Sequence, residues 1–106
     1  AHEGIDATAA AVELYRQGTE AEKALPAEVY RLLKFGLLQS GTVRNALSAH
    51  THMEGSLRAF QDEVFDGLRD GLFAIGRDLE RELGCTVRAL EIDGGVFLDA
   101  VLEQEF

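Results

Sequence analysis

Tryptophan is absent from this chain, and cysteine, proline and methionine occur once each. The lone cysteine, Cys85, excludes an internal disulfide framework and points to a reducing compartment. It stands between Gly84 and a β-branched stretch with no histidine nearby in sequence, which reads as a small buried core residue rather than a nucleophile. Apolar runs long enough to span a bilayer are missing, and no stretch reads as a secretory or lipidation signal. The expectation is a soluble, cytoplasmic protein. Positive charge is scarce as well. Ten Lys and Arg face nineteen Asp and Glu, a formal net charge of −9, and Lys23 and Lys34 are the only lysines. No cationic stripe exists to track phosphates, so neither nucleic acid nor membrane is expected as a partner. Acidity instead favours solubility and suits a partner protein with a basic surface.

What is present suits one small globular domain over residues 1–106, since 46% of the chain is hydrophobic. A single core is marginal at this size, so help from an oligomer is expected. The most regular stretch runs from Thr51 to Leu83. Met53, Leu57, Phe60, Val64, Leu68, Leu72, Ile75, Leu79 and Leu83 recur every three or four positions, which predicts one long amphipathic helix. Thr51 and Glu54 have capping-box spacing at its start, and Gly84 stands where a left-handed C-cap would end it.

Upstream, Ile5, Ala9, Val12 and Tyr15 predict a helix capped by Asp6 or Thr8; Gly18 and Thr19 interrupt it, and the capping-box spacing of Thr19 and Glu22 means either a new short helix there or one helix with a weak point. Pro26 suits a first helical turn, so a second helix is expected from Pro26 to Gln39. Val29, Tyr30, Leu32, Leu33, Phe35, Leu37 and Leu38 make it apolar on most of its circumference, with Arg31 and Lys34 on a narrow wet edge. Ser40, Gly41 and Thr42 read as a C-cap followed by an N-cap, opening a short helix through Val43, Ala46 and Leu47. The helices are expected within about 5–83.

Beyond Gly84 the period changes to two. Cys85 to Ile92 and Val96 to Leu102 flank Asp93-Gly94-Gly95, a hairpin signal over about 85–102, with a helix over Val96 to Phe106 as the alternative. A turn centred on Asp93 and Gly94 sets Leu90 opposite Phe97 and Arg88 opposite Asp99. Cys85, Val87, Ala89, Val96, Leu98, Ala100 and Leu102 then share one core face. The fold class expected is mainly α (α+β): three to four helices, one of them long and amphipathic, followed by a C-terminal β-hairpin.

Candidate sites are few. On the other hairpin face Leu90, Ile92, Phe97 and Val101 surround the Arg88 and Asp99 pair, too much apolar surface to leave in water, and they are the expected contact with a second chain. Gly67 and Gly71, close to Gly76, each cost a helix about 1 kcal/mol against alanine. They mark either a close approach by another helix or a loosened rod. His50, His52 and Glu54 have metal-ligand chemistry, but on a helix His52 points away from the other two, so no metal and no cofactor is expected. Asp62, Asp66 and Asp70 form one helical row that Arg58, Arg69 and Arg77 can neutralise. No glycine-rich phosphate loop and no nucleophile elbow occurs, so no catalytic residue is named.

Thr42 to Leu47, T-V-R-N-A-L, resembles the start of the recognition helix in GntR-type winged-helix DNA-binding domains. The resemblance covers those residues alone. The chain departs from that pattern at His50 and Glu54, and a long helix is expected where the family has a winged hairpin. The reading that follows is a small acidic protein-binding adaptor or regulatory module, homodimeric through the long helix, the hairpin or both. The alternative is a small-ligand or metal-binding sensor with its site between helices. A third class, a helical hydrolase using the Asp62 row with a divalent ion, has no substrate signature.

Overall fold

Residues 7–41 and 49–102 are described in a computed structural model. They form α1 (Ala7–Lys23), β1 (Arg31–Ser40), β2 (His50–Ala59), α2 (Asp62–Leu83), β3 (Cys85–Ile92) and β4 (Gly95–Leu102). The four strands make one antiparallel sheet in the order β1-β2-β4-β3. Both helices pack on the same face of that sheet and against each other.

This α+β architecture overturns the expected three or four helices with a hairpin. The expected helix from Pro26 to Gln39 is strand β1, and the first third of the expected long helix is strand β2. A short apolar run carries no period of its own. Leu32 to Leu38 satisfies a buried helix and a strand equally well, and pairing with β2 decides between them. Along β2, Met53 and Leu57 are four apart, a spacing that one helix face and one strand face share. Thr51, Met53 and Leu57 are buried beneath the helices, whereas the intervening side chains face the other way. Thr51 is therefore no helix cap. Its hydroxyl closes a chain from Thr8 Oγ1 to Ser40 Oγ (2.5 Å) and on to Thr51 Oγ1 (2.6 Å), joining α1, β1 and β2. The short helix expected through Val43 lies outside the described residues.

Helix α1 runs through Gly18 without a break. Ala7, Ala10, Ala11, Leu14 and Gly18 form its buried stripe, and the small side chains let the helix sit close to the sheet. A Cβ at Gly18 would stand 2.8 Å from Leu72 Cδ2, so the glycine marks where α1 crosses α2. Packing there outweighs its poor helix propensity. Helix α2 keeps the expected stripe from Leu68 to Leu79, starts after Gln61, and ends as expected. Gly84 is left-handed (φ 70°) and its N–H donates to the Glu80 carbonyl.

The C-terminal hairpin has the expected register, with Leu90 opposite Phe97 and Arg88 opposite Asp99. Asp93 (φ 50°) and Gly94 (φ 85°) both adopt positive φ, as a two-residue primed turn requires. The hairpin is tied to β2 at both ends: Leu57 N–H donates to the Gly94 carbonyl (2.7 Å) and Leu102 N–H to the Ala49 carbonyl (2.9 Å). Its inward residues Val87, Val96, Leu98 and Ala100 are buried among Leu14, Met53, Leu57, Leu72 and Leu79. Each fully buried leucine here is worth about 2 kcal/mol of transfer free energy.

Arg31 is no wet edge. Its side chain is only 11% exposed and uses every arm of the guanidinium. Nε donates to Glu22 Oε2, one terminal nitrogen to the carbonyls of Pro26 and Val29, and the other to those of Glu22 and Leu25. The residues between α1 and β1 are thereby folded around one side chain. Charge-assisted bonds of this kind contribute about 1.5–3 kcal/mol each, less where the acceptor can turn to water. Arg31→Ala is expected to lower unfolding free energy by about 2–3 kcal/mol in urea titration. Arg31→Lys should recover only part of that loss, because a point charge cannot reproduce the fork.

Candidate functional site: the open face of the sheet

With both helices on one side, alternation along the strands sends a second set of side chains to a face that no described element covers. Leu90 (53% exposed), Ile92 (56%), Phe97 and Val101 all belong to it. Leu90 and Phe97 are cross-strand partners; Val101 lies between Thr86 on β3 and His50 on β2. The four side chains thus share one face of the sheet. Gly67 and Gly71 sit elsewhere, on α2, and a Cβ at either would meet nothing within 4 Å. Among the helical glycines, the close approaches are at Gly18 and at Gly76, where a Cβ would stand 3.0 Å from Val87 Cγ1.

On a helix His52 would point away from His50 and Glu54. On a strand they do the opposite, because positions i, i+2 and i+4 share a face. Asp99 of β4 stands directly across from His52. His52 Nδ1 lies 2.9 Å from Asp99 Oδ1 and its Nε2 lies 2.6 Å from Glu54 Oε2, while His50 Nε2 reaches the same Asp99 oxygen at 2.7 Å. Glu54, bound to His52, is no helix cap. The Glu54 carboxylate first, and Asp99 second, push the His52 pKa above its ordinary 6.5. Burial pushes the Asp99 carboxyl up, but hydrogen bonds from His50 and His52 outweigh it and leave the group below its ordinary value. Among the described residues no three His, Cys, Asp or Glu side chains are placed to hold a metal ion.

Two members of the acidic row on α2, Asp66 and Asp70, are neutralised by Arg69. Arg69 pairs with Asp66 (3.3 Å) and Asp70 (3.0 Å) and reaches Glu91 on β3 at 3.8 Å. Arg77 pairs with Glu80 instead, and Arg58 is on β2, on the open face. Sequence reasoning missed two features. One is the Asp99 link; a two-residue period at His50-x-His52-x-Glu54 was the available signal. The other is a stack of Tyr30 on Phe60 (ring centroids 4.4 Å apart), which leaves Phe60 83% exposed at the edge of a hollow of about 470 Å³ lined also by Leu57, Arg58 and Phe65. Both rings had been placed on expected helices. Cys85 is buried, its Sγ near the Leu79 carbonyl, and burial pushes the thiol pKa up.

No family model matches the chain, and no solved structure does. Over 66 residues, 62% of the chain, it is 32% identical to an N-acetyldiaminopimelate deacetylase of Lacticaseibacillus casei (strain BL23). The same identity over the same length relates it to the N-acetyldiaminopimelate deacetylase of Lacticaseibacillus paracasei (strain ATCC 334). The matched segment is 17% of each relative's length, so the similarity concerns a minor part of those proteins. Among the described residues, no helix is long and apolar enough to cross a membrane.

Two measurements check this description. Ile92→Ser should change stability by no more than about 0.5 kcal/mol, whereas Leu98→Ala, on the covered face, should cost about 2–5 kcal/mol. An aromatic disulfide reagent should leave Cys85 unmodified in the folded chain and label it fully in denaturant. Rapid labelling of the native protein would contradict its burial.

Proposed function

We propose that this chain is a protein-association module, a small acidic adaptor or regulatory unit that acts by binding. The observation that carries this reading is the open sheet face, where Leu90, Ile92, Phe97 and Val101 surround a charged network while both helices occupy the other side. A domain of this size gains stability by covering such a surface. Among the described residues, β1 and β3 are the outer strands of the sheet. β1 is rich in leucine and therefore suited to pairing with a second copy. The homodimer proposed here uses those edges, the open face, or both, and Gly67 and Gly71 leave room for a partner helix on α2. Acidic side chains steer a partner with a basic surface.

The similarity to the deacetylases supports a further clause: the module serves an enzyme of that kind, contributing contacts rather than reacting groups. Its expected compartment is the cytoplasm. A second reading, a small-ligand sensor with its site between helices, is favoured by one groove. Ala21 and Leu25 of the α1 end face Val64, Gly67 and Leu68 of α2 across about 370 Å³.

Sedimentation equilibrium at micromolar concentration separates the readings. A dimer weakened tenfold or more by Phe97→Asp or by Leu37→Asp, with the circular dichroism spectrum kept, supports association through the face or the edge. A monomer whose thermal midpoint rises with an added metabolite or metal ion supports the sensor reading and overturns the dimer.

A further inference from the structure

The open-face histidines have a consequence beyond association. A carboxylate can only accept hydrogen bonds, and a neutral imidazole can donate from one nitrogen only. His52 meets a carboxylate at both nitrogens, Asp99 at Nδ1 and Glu54 at Nε2. The arrangement is complete only when the ring carries two protons. We propose that His52, Asp99 and Glu54 form a proton-operated clamp on the β2–β4 seam, closed while the imidazolium donates to both carboxylates and half-released when the ring loses a proton.

The setting suits such a device. β2 and β4 are the two central strands, and their pairing joins the β1–β2 half of the sheet to the C-terminal hairpin. His52 and Asp99 are direct cross-strand partners in that seam. Among the described residues, the charged and titratable groups on the strands around the clamp can be named. β2 supplies His50, which shares Asp99 Oδ1, and β3 supplies Arg88 opposite Asp99. β1 sets uncharged Gln39 opposite His52 and Leu37 opposite Glu54, with Lys34 further along, opposite Ser56. Neither helix reaches this side, so solvent protons have direct access. With the ring protonated, one cation sits between two anions. After deprotonation two carboxylates face each other across a neutral ring that can satisfy one of them.

The sign of the effect follows from linkage. A histidine whose folded pKa is raised contributes stability that is fully present below the unfolded value, 6.5, and lost as pH rises through the folded midpoint. Asp99 works in the opposite sense, contributing above its ordinary value of 3.8 and losing that contribution as acid protonates it. The clamp is therefore strongest in the mildly acidic range between these limits.

The test is an NMR titration of the histidine ring carbons in the 106-residue chain, with amide exchange followed along the seam. The expected results are a His52 midpoint above 6.5, lowered by Asp99→Asn and by Glu54→Gln, and a several-fold fall in the protection of seam amides across that midpoint. Protection is corrected for the intrinsic pH dependence of exchange, and the fall should be missing in His52→Gln. A midpoint at or below 6.5, or the same fall in His52→Gln, overturns the proposal. If a carboxylate variant fails to fold, the wild-type midpoint and the His52→Gln exchange profile decide.

Discussion

The two-residue alternation of β2 is the constraint from which most of this structure follows. One set of its side chains, Thr51, Met53 and Leu57, is buried against α1, α2 and the hairpin, and the other set, His50, His52 and Glu54, is turned to the open face. A shift of one residue in register would exchange the sets, placing two imidazoles and a carboxylate in the core and a methionine and a leucine in water. Burial of Met53 and Leu57 therefore fixes the position of the histidine network as firmly as it fixes the core. The cross-strand partners complete the division, since Leu98 and Val96 lie beside Met53 and Gly55 while Asp99 and Phe97 lie beside His52 and Glu54.

Small residues set how closely the helical layer approaches. The alanine stripe of α1 and the bare Gly18 allow Leu72 to fill the crossing point between the helices, and Gly76 gives Val87 the same access to α2. Where close approach ends, polar staples take over. Arg31 gathers the carbonyls between α1 and β1, and the hydroxyl chain from Thr8 to Thr51 satisfies the one buried polar side chain of β2.

The hairpin was legible from residues 85–102 because its signal is local: a turn dipeptide that tolerates positive φ, flanked by strands whose register a charge pair and an apolar pair both favour. Helix α2 was legible from Val64 onward because its apolar period persists for several turns. The β1–β2 half was not. Its strands are recognised by each other across the chain, the four-residue spacing of Met53 and Leu57 fits both regular structures, and the Thr51 and Glu54 pair imitates a capping box. Tertiary pairing decides such segments, and no short-range pattern reports it. The same error concealed the site. Once residues 50–54 are read as helical, His52 points away from its neighbours, and Asp99 has no reason to join them.

The seam between β2 and β4 is also the long-range pairing of the sheet. Its partners are far apart in sequence, 47 residues separating His52 from Asp99, whereas β3 and β4 meet across a two-residue turn. Local pairing closes small loops at low entropic cost, and the seam must close a large one. The C-terminal hairpin can gather early and take α2, its neighbour in sequence, onto its inward face, whereas β2 joins its β4 edge from farther along the chain. On topology alone, the slow step expected in folding is the encounter of two strands separated by α2 and β3.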